Sequence, residues 1–434
     1  MGARETALNV LIACRKEGAW SNGVLKEYCF RDKLDRREAA LAARLCYGVL
    51  QNRGKLDFYL KQLLIGRLKD LHPAVHDILQ LGLYQLYEMD KIPVSAAVNE
   101  SVLLAKKYCK KLRNAPGLVN AVLRNAVRSR DTLKEPTALC DRYSHPDKLI
   151  RVLEQYVGKE RLEPMLCANN GVPPTVVQVN TLRTTSDELI CLLDGEGVTA
   201  QPHPWLQDCL ILSGTGSLEQ LDSFAKGLFY VQDAAARLSV LCAEIPENAH
   251  VLDCCAAPGG KTFAAVLSGA GQVISCDIHA HKISLIEGGA KRLGFEHVTV
   301  QERNAAEFCP QWEGQMDVVI ADVPCSGYGI IRKKPDIRYK DPDTMTELPA
   351  LQLAILENQS RYVKPGGVLL YSTCTLIRGE NEGVVENFLK KHPDYTTEPL
   401  RLPKPFPENR NGMLTLIPGE FDTDGFFICR LRRK

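Results

Sequence analysis

The spacing of hydrophobic residues divides the chain into a helical first part and a mixed second part. In the first 131 residues, apolar side chains recur every three to four positions, which is the spacing that buries one face of an α-helix. The clearest of these periodic stretches lie at 36–50, 74–87, 94–108 and 118–127. The pattern predicts an all-α N-terminal domain at 1–131, followed by a linker that contains Pro136 and reaches residue 141.

From residue 142 onward, strand patterns alternate with helical ones. Residues 142–232 combine helices at 147–157, 159–168 and 186–194 with short strands, which predicts a small α/β module. Residues 233–434 alternate strand and helix regularly, which predicts a doubly wound parallel sheet. Its strands are expected at 249–254, 272–277, 297–301, 317–322 and 366–372. Two final strands, near 413–417 and 426–430, flank a turn-rich segment and are expected to close the sheet as an antiparallel hairpin.

Charge distribution points to a polyanionic partner for the first domain. The whole chain of 434 residues has a formal charge of +2, whereas residues 1–131 alone carry a net charge of +10. The stretch 106–130 holds eight basic residues and no acidic one. A basic helix face is often only solvated, but this concentration in one domain favours a polyanion as the partner. The candidate contacts with that polyanion are Lys106, Lys107, Lys110 and Lys111.

Cysteine positions and hydropathy exclude several other classes of protein. The sixteen cysteines are scattered and form no C-x-x-C pair, so neither a zinc site nor a disulfide framework is predicted. No apolar run approaches the roughly 18 residues that a membrane span requires. We therefore expect a cytosolic protein without a metal ion or a membrane partner. A monomer is the expected oligomeric state.

A glycine-rich turn follows the first strand of the predicted sheet. A phosphate-binding P-loop would need glycine where Cys255 stands, and the dinucleotide pattern G-x-G-x-x-G fails because Gly259 and Gly260 are adjacent. A site for adenosine and methionine remains, with a purely structural turn as its alternative. Its predicted contacts are Cys255, Ala256, Ala257, Pro258, Gly259, Gly260 and Lys261. Asp277 ends the next strand, where an acid can bind ribose hydroxyls.

Reactive side chains follow the fourth and fifth strands. Asp322 and Cys325 come after the fourth strand, and Cys374 comes after the fifth. Because the carboxyl ends of parallel strands meet at one edge of a sheet, we expect these three side chains to converge there. An isolated buried cysteine is usually structural, but two cysteines beside an aspartate indicate catalysis. Spacing alone leaves open which of the two thiols attacks a substrate.

Three blocks of sequence carry a resemblance to a known family. They are residues 255–262 (CAAPGGKT), 322–327 with 329–336 (DVPCSG and GIIRKKPD), and 372–375 with 380–382 (STCT and ENE). They resemble motifs of the RNA cytosine-5 methyltransferases, the Fmu/Sun/NOL1 group. The resemblance implies a Rossmann-like class I methyltransferase domain that uses S-adenosylmethionine. The helical N-terminus resembles a NusB-like RNA-binding domain, and this domain order is similar to that of bacterial small-subunit rRNA methyltransferases.

The same resemblance implies a substrate and roles for individual residues. The substrate would be 16S rRNA, free or in an assembling small subunit, with carbon 5 of cytosine 967 as the methylated atom. Cys374 would attack carbon 6 of the base, and Cys325 would act later, when the carbon 5 proton leaves and the adduct is released. Asp322 would hold N3 and the exocyclic amine of the base, and it is also expected to contact the cofactor.

Two further expectations concern residues near these motifs. The family usually has an acid near the end of the third strand, whereas this chain has Asn304, whose amide can still hydrogen-bond adenine. Arg332, Lys333 and Lys334 lie close to Cys325 in the sequence and are expected to grip RNA phosphates.

Three alternative functions remain open at this stage. The same chemistry could act on tRNA or on large-subunit rRNA, since identical motifs would serve either. A non-catalytic RNA-binding or assembly factor is disfavoured because such a module needs no thiol beside Asp322. A nucleotide-dependent oxidoreductase lacks its glycine fingerprint here, and the closing hairpin also suits a methyltransferase better than a dehydrogenase.

Overall fold

The structure is a computed structural model that describes residues 1–17 and 20–434. The chain forms two compact units. The first comprises Met1–Gln155, Lys159–Asn170 and Ile331–Pro342, and the second comprises Tyr156–Gly158, Gly171–Ile330 and Asp343–Lys434. A short segment from within the predicted 233–434 domain therefore belongs to the first unit.

Helices build the first part of the chain, as the periodicity predicts. They are α1 (Ala3–Glu17), α2 (Ser21–Arg31), α3 (Arg36–Leu63), α4 (Pro73–Glu88), α5 (Val94–Tyr108), α6 (Ala115–Ser129), α7 (Leu139–Arg142), α8 (Asp147–Val157) and α9 (Lys159–Ala168). Asp35 caps α3 by accepting a hydrogen bond from the Glu38 amide, at 2.8 Å. Helix α3 runs well past the predicted end at residue 50, because Leu56, Leu60 and Leu63 continue its buried face.

The segment Ile331–Pro342 is anchored in the first unit by a fully buried arginine. The guanidinium of Arg338 donates to the carbonyl oxygens of Gln51 (3.0 Å) and Tyr143 (3.2 Å). It also donates to Oδ1 of Asn170, at 2.8 Å. Backbone and amide oxygens thus satisfy the two terminal nitrogens of this buried cation, whereas its Nε has no hydrogen-bond partner among the described residues.

A four-stranded antiparallel sheet opens the second unit. Its strands are β1 (Thr175–Val179), β2 (Thr199–Pro202), β3 (Cys209–Ser213) and β4 (Phe229–Val231), and they are ordered β2-β3-β1-β4. Helices α10 (Ser186–Gly195) and α11 (Asp222–Ala225) lie between these strands in the chain. Apolar residues of the sheet and of α10 share one core. The predicted small α/β module is confirmed.

The larger sheet of the second unit is the predicted doubly wound sheet. Its strands are β5 (His250–Asp253), β6 (Gln272–Asp277), β7 (Val298–Glu302), β8 (Met316–Asp322), β9 (Val363–Thr373), β10 (Tyr395–Thr397), β11 (Met413–Leu416) and β12 (Phe426–Arg433). The helices of this part are α12 (Ala234–Cys242), α13 (Gly260–Leu267), α14 (Ala280–Leu293), α15 (Leu348–Ser360) and α16 (Glu382–Lys391). The strand order is β10-β12-β9-β8-β5-β6-β7, with β11 paired to β12.

Strands β5 to β9 pair in parallel, whereas β12 pairs antiparallel with β9, β10 and β11. The closing hairpin is therefore present. Strand β8 is apolar on both faces, with Val318 and Ile320 in one core cluster and Val319 and Ala321 in another. Such two-sided burial is what a parallel sheet covered by helices requires.

The order of the strands fixes where a ligand can bind. Strand β5 lies between β6 and β8, so the helices that follow β5 and β8 depart from the sheet in opposite directions at this point. In open α/β sheets ligands bind at such a switch point, outside the carboxyl ends of the strands. Of the helices within the described ranges, none is long and apolar enough to cross a membrane.

Candidate active site

Polar side chains from four parallel strands meet at the carboxyl edge of the large sheet. Strands β5, β6 and β8 end at Asp253, Asp277 and Asp322, and β9 ends one residue before Cys374. Asp322 is paired in register with Ser372 of β9, and Ser372 donates a hydrogen bond to its carboxylate at 2.7 Å. The convergence predicted from the sequence is therefore found in the structure.

The two candidate catalytic cysteines are in direct contact. Sγ of Cys325 lies 3.3 Å from Sγ of Cys374, and both side chains are half-buried. The hydrogen bond with Cys374 raises the pKa of the Cys325 thiol well above its usual range, and burial and the nearby charges of Cys374, Glu380 and Asp322 raise it further. Cys325 therefore holds its proton at neutral pH, and that proton is placed to be donated to the sulfur of Cys374.

Asp322 forms an ion pair that the sequence did not reveal. Nζ of Lys261 lies 2.7 Å from Oδ2 of Asp322 and about 5.0 Å from the centre of the Phe426 ring. Burial lowers the pKa of Lys261, but the charge of Asp322 and the hydrogen bond to it outweigh that effect, so the pKa is raised overall. Lys261 therefore stays charged and ties the glycine-rich turn to the carboxyl end of β8.

A buried carboxylate clamps the loop that carries Cys325. One oxygen of Glu380 accepts hydrogen bonds from the Ser326 amide and from Nε2 of Gln352, both at 2.9 Å. Gln352 also donates to the carbonyl oxygen of Pro324, at 2.9 Å. Sequence reasoning assigned no role to Glu380 or Gln352. The motif at 380–382 was the only signal for Glu380, and nothing in the sequence marks Gln352.

Two glycines hold the cysteine loops against the closing hairpin. The Gly329 amide donates to the carbonyl oxygen of Cys374 (2.9 Å), and the Gly425 amide donates to the carbonyl oxygen of Gly329 (2.8 Å). A Cβ atom added to Gly329 would lie 2.1 Å from the carbonyl oxygen of Gly425. Only glycine therefore permits this close approach of backbone to backbone.

The glycine-rich turn has the geometry of a site for an extended ligand. Gly259 has a φ of +109°, and a Cβ there would lie 2.6 Å from the ring of Phe263. Helix α13 begins at Gly260, so its first backbone N–H groups have no partner within the helix and point out of its N-terminus. These donors suit a carboxylate such as that of a methionine moiety.

Asp253 adds an unsatisfied acceptor beneath the turn. Its Oδ2 accepts from the hydroxyl of Thr262 at 2.8 Å, while Oδ1 has no hydrogen-bond partner among the described residues. Burial raises the pKa of this carboxyl to about 7, although the hydrogen bond from Thr262 and the charge of Lys261 lower it. A ligand with an ammonium group or a sulfonium charge would compensate this buried acid.

The predicted ribose and adenine contacts are neighbours. The carboxylate of Asp277 accepts from the amides of Ala257 (3.3 Å) and His279 (3.0 Å), which leaves lone pairs for ribose hydroxyls. The Arg303 amide donates to the carbonyl oxygen of Asp277 at 2.9 Å and so places Asn304 beside it. The Asn304 side chain is already engaged locally, with the amide of Ala306 and with Glu307.

These groups together fit S-adenosylmethionine. The helix N-terminus matches the carboxylate of its methionine part, the unsatisfied Asp253 matches its positive charge, and Asp277 matches its ribose. Across the described part of the chain, no group of three or more His, Cys, Asp or Glu side chains is arranged to hold a metal ion.

The predicted RNA contacts have different environments. Arg332 is only 5% exposed and belongs to the first unit, and its contact with RNA phosphates stays a prediction. Lys333 and Lys334 are half-buried, and Lys334 lies over the Trp20 ring. Lys106, Lys110 and Lys111 are exposed, whereas Lys107 forms an ion pair with Glu5.

Comparison with protein families matches three segments of the chain. Residues 240–432 match the family described as "16S rRNA methyltransferase RsmB/F". Residues 1–128 match the NusB family, and residues 145–219 match the ferredoxin-like domain of RsmF/B-like methyltransferases. The predicted order of a NusB-like domain, a small α/β module and a methyltransferase domain is thereby confirmed.

Relatives and a solved structure extend along nearly the whole chain. The "Probable ribosomal RNA small subunit methyltransferase B" of Bacillus subtilis is 36% identical, over 99% of this chain and 98% of its own length. The "Ribosomal RNA small subunit methyltransferase B" of Salmonella arizonae is 34% identical, over 93% and 92%. The crystal structure of the protein PH0851 superimposes with a TM-score of 0.80 over 99% of this chain and 98% of that one, at 24% identity, and so shares the fold.

The candidate active site lies at the carboxyl edge of the large sheet, and the relatives align with nearly the whole chain. The chain belongs to the 16S rRNA methyltransferase RsmB/F family and is an S-adenosylmethionine-dependent RNA methyltransferase.

Proposed function

We propose that this enzyme methylates carbon 5 of a cytosine in 16S rRNA, at position 967, through a covalent bond between Cys374 and carbon 6 of the base. The observation that carries the proposal is the thiol pair Cys325–Cys374, 3.3 Å apart at the strand ends and beside the Lys261–Asp322 ion pair. The names of the relatives from Bacillus subtilis and Salmonella arizonae support small-subunit rRNA over tRNA or large-subunit rRNA.

The attack needs a thiolate, because carbon 5 of cytosine is a weak nucleophile until a group adds at carbon 6. The resemblance to the RNA cytosine-5 methyltransferases assigns the attack to Cys374, and the raised pKa of Cys325 suits that thiol to be the hydrogen-bond donor to it. As the bond from Sγ to carbon 6 forms, the electron pair of the ring double bond moves to carbon 5. The Cys325 thiol lies close enough to stabilise the Cys374 thiolate before this step by donating a hydrogen bond.

Asp322 is suited to bind the base and to steady its charge. Its carboxylate can share a proton with N3 and accept from the exocyclic amine, while Lys261 and Ser372 hold it in place. Bound S-adenosylmethionine supplies the methyl group. Once the Cys374 sulfur is bonded to carbon 6 it no longer carries a charge, so its hydrogen bond and its charge no longer raise the pKa of Cys325. Cys325 can then lose its proton to solvent, and its thiolate accepts the carbon 5 proton. The bond from carbon 6 to Cys374 breaks, and the thiolate is restored.

The two thiols are tested by measuring transfer of labelled methyl groups to a 16S rRNA transcript. We expect Cys374→Ala to abolish transfer while S-adenosylmethionine still binds, because the sulfur acts on the base. Cys325→Ala should accumulate protein covalently attached to RNA, visible on a denaturing gel. Cys191→Ala, at an exposed cysteine of α10, is the matched control and should behave like wild type. An adduct that accumulates with Cys374→Ala instead would reverse the two roles.

The target is tested separately with altered transcripts. Replacing cytosine 967 by uridine should abolish methylation of the 16S transcript, and tRNA or 23S transcripts should accept no methyl group. Methylation of tRNA at a rate equal to that of 16S rRNA would contradict the proposed substrate but leave the chemistry standing.

A further inference from the structure

We infer that the first unit carries a second RNA-binding site, a cleft around the segment 64–72 that joins α3 to α4. It would bind phosphates in a cationic pocket and one unstacked base in a neighbouring apolar pocket. The inference rests on the proposed function only in taking RNA as the substrate. We call this surface the 64–72 cleft.

The apolar part of the cleft is a cavity of about 430 Å³ between the end of α3 and helix α6. Leu63, Ile65, Leu118 and Val122 contribute to its walls, and Asn125 adds an amide. The Ile65 side chain is fully exposed, and Leu118 is 38% exposed. The exposed Ile65 and Leu118 thus give the cavity an apolar rim that is open to a ligand.

The polar part is a second cavity of about 680 Å³ along the same segment. Arg15, Lys61, Arg67, Lys69 and His76 contribute to its lining. The two cavities share Gly66, Arg67 and Leu71, so a ligand can occupy both at once.

The charged side chains that line the two cavities indicate which kind of ligand the cleft can bind. Arg15 is paired with the buried Asp77, and Arg67 is paired with Asp70, the single acid in the two linings. Lys61, Lys69 and Arg128 are exposed and have no acidic partner among the described residues. Arg128 lines the apolar cavity, and Lys61 and Lys69 line the polar one. This arrangement matches a nucleotide chain, which joins flat apolar bases to phosphates.

The 64–72 cleft is distinct from the lysine cluster that the sequence singled out. Lys107 of that cluster pairs with Glu5, near the start of α1, whereas Arg15 of the cleft lies near the end of the same helix. Ten residues of α-helix separate these positions, which corresponds to about 15 Å. Recognition of RNA by the first unit would therefore include a surface outside the lysine cluster. Arg128 is the residue of the basic run at 106–130 that lines the cleft.

The test is a salt titration of RNA binding by the full chain, with a labelled single-stranded oligouridine as the probe. The triple variant Lys61→Gln, Lys69→Gln, Arg128→Gln removes the three unpaired cations. If each contacts one phosphate, the slope of log K against log salt should become shallower by about 2, because single strands give about −0.7 per contact. At 0.1 M salt the same loss corresponds to binding about 100-fold weaker.

A matched variant removes equal charge elsewhere in the first unit. Lys26→Gln, Arg37→Gln, Lys91→Gln alters three exposed residues outside both cavities and should leave the slope within experimental error. Equal effects of the two triple variants would overturn the proposal, because they would reduce the cleft to general electrostatics. Unchanged binding by the cleft variant would overturn the proposal as well. The cleft would then be a site for a protein segment instead of RNA.

Crosslinking supplies the second measurement. Irradiation of the wild-type complex with a 4-thiouridine oligonucleotide should attach RNA to the peptide that contains Ile65 or to the one that contains Leu118. Crosslinks confined to other peptides would overturn the proposal. Failure of the proposed function would be seen differently, as an absence of methyl transfer to any RNA, and neither binding measurement depends on that reaction.

Discussion

Replacing Gly329 by alanine should slow methyl transfer about 100-fold while leaving the cofactor site intact. The new Cβ would lie 2.1 Å from the carbonyl oxygen of Gly425, whereas real Cβ atoms keep at least 3.0 Å from such atoms. One of the two backbones must therefore move by about 1 Å. Gly329 also donates to the carbonyl oxygen of Cys374, so the shift is passed to the candidate nucleophile. A misplacement of about 1 Å can cost about 10²-fold in rate.

The assay is single-turnover transfer of labelled methyl groups to a 16S transcript, with calorimetry of S-adenosylmethionine binding beside it. Gly379→Ala is the matched control, because a Cβ at Gly379 would meet no atom within 4 Å. We expect the control to react at the wild-type rate. The Gly329→Ala variant should bind the cofactor with wild-type affinity, which would show that the fold has survived the change.

Two results would refute this reasoning. A rate within threefold of wild type would mean that the hairpin gives way without disturbing Cys374. Loss of cofactor binding together with activity would mean that Gly329 supports the whole domain rather than the thiol pair.

Three further changes test single contacts of the site. Glu380→Gln removes a negative charge that raises the pKa of Cys325. Decay of the protein–RNA adduct should therefore reach its maximal rate at a lower pH than in the wild type. A pH–rate profile identical to that of the exposed control Glu386→Gln would contradict this. Asp277→Ala should weaken S-adenosylmethionine binding by about 1–3 kcal/mol, measured by calorimetry, because ribose hydroxyls lose their acceptor. Asn304→Asp should bind the cofactor at least as well as wild type in the same measurement, and a strong loss would show that the turn depends on the Asn304 amide.

The elements that the sequence predicts well are those with a periodic local signal. The five parallel strands lie within a few residues of their predicted positions, because each is a short apolar run bounded by turn residues. Asp322, Cys325 and Cys374 could be predicted to meet for the same reason. Once strands are known to be parallel, the residues at their carboxyl ends must share one edge of the sheet.

The contacts that hold these residues in place carry no such signal. Glu380 reaches Ser326 across 54 positions of sequence, and Lys261 reaches Asp322 across 61. A glutamate or lysine in a loop usually faces solvent, so its type does not reveal a buried partner. Fold class fixes which strand ends are neighbours, but the direction of a long side chain depends on packing that only the folded chain defines.

Arg338 shows this limit of sequence-based prediction most clearly, because nothing in the sequence marks it as a buried residue. Residues 332–334 lie just after Cys325, and proximity in sequence led to the expectation of phosphate contacts at the active site. The segment Ile331–Pro342 belongs instead to the first unit, where Arg338 is buried against carbonyl oxygens. Backbone carbonyls are present at every residue, so a site made of them leaves no trace in residue type. A basic residue can therefore be an RNA contact or an internal anchor. Arg338 is buried as an anchor, whereas Lys61, Lys69 and Arg128 are exposed.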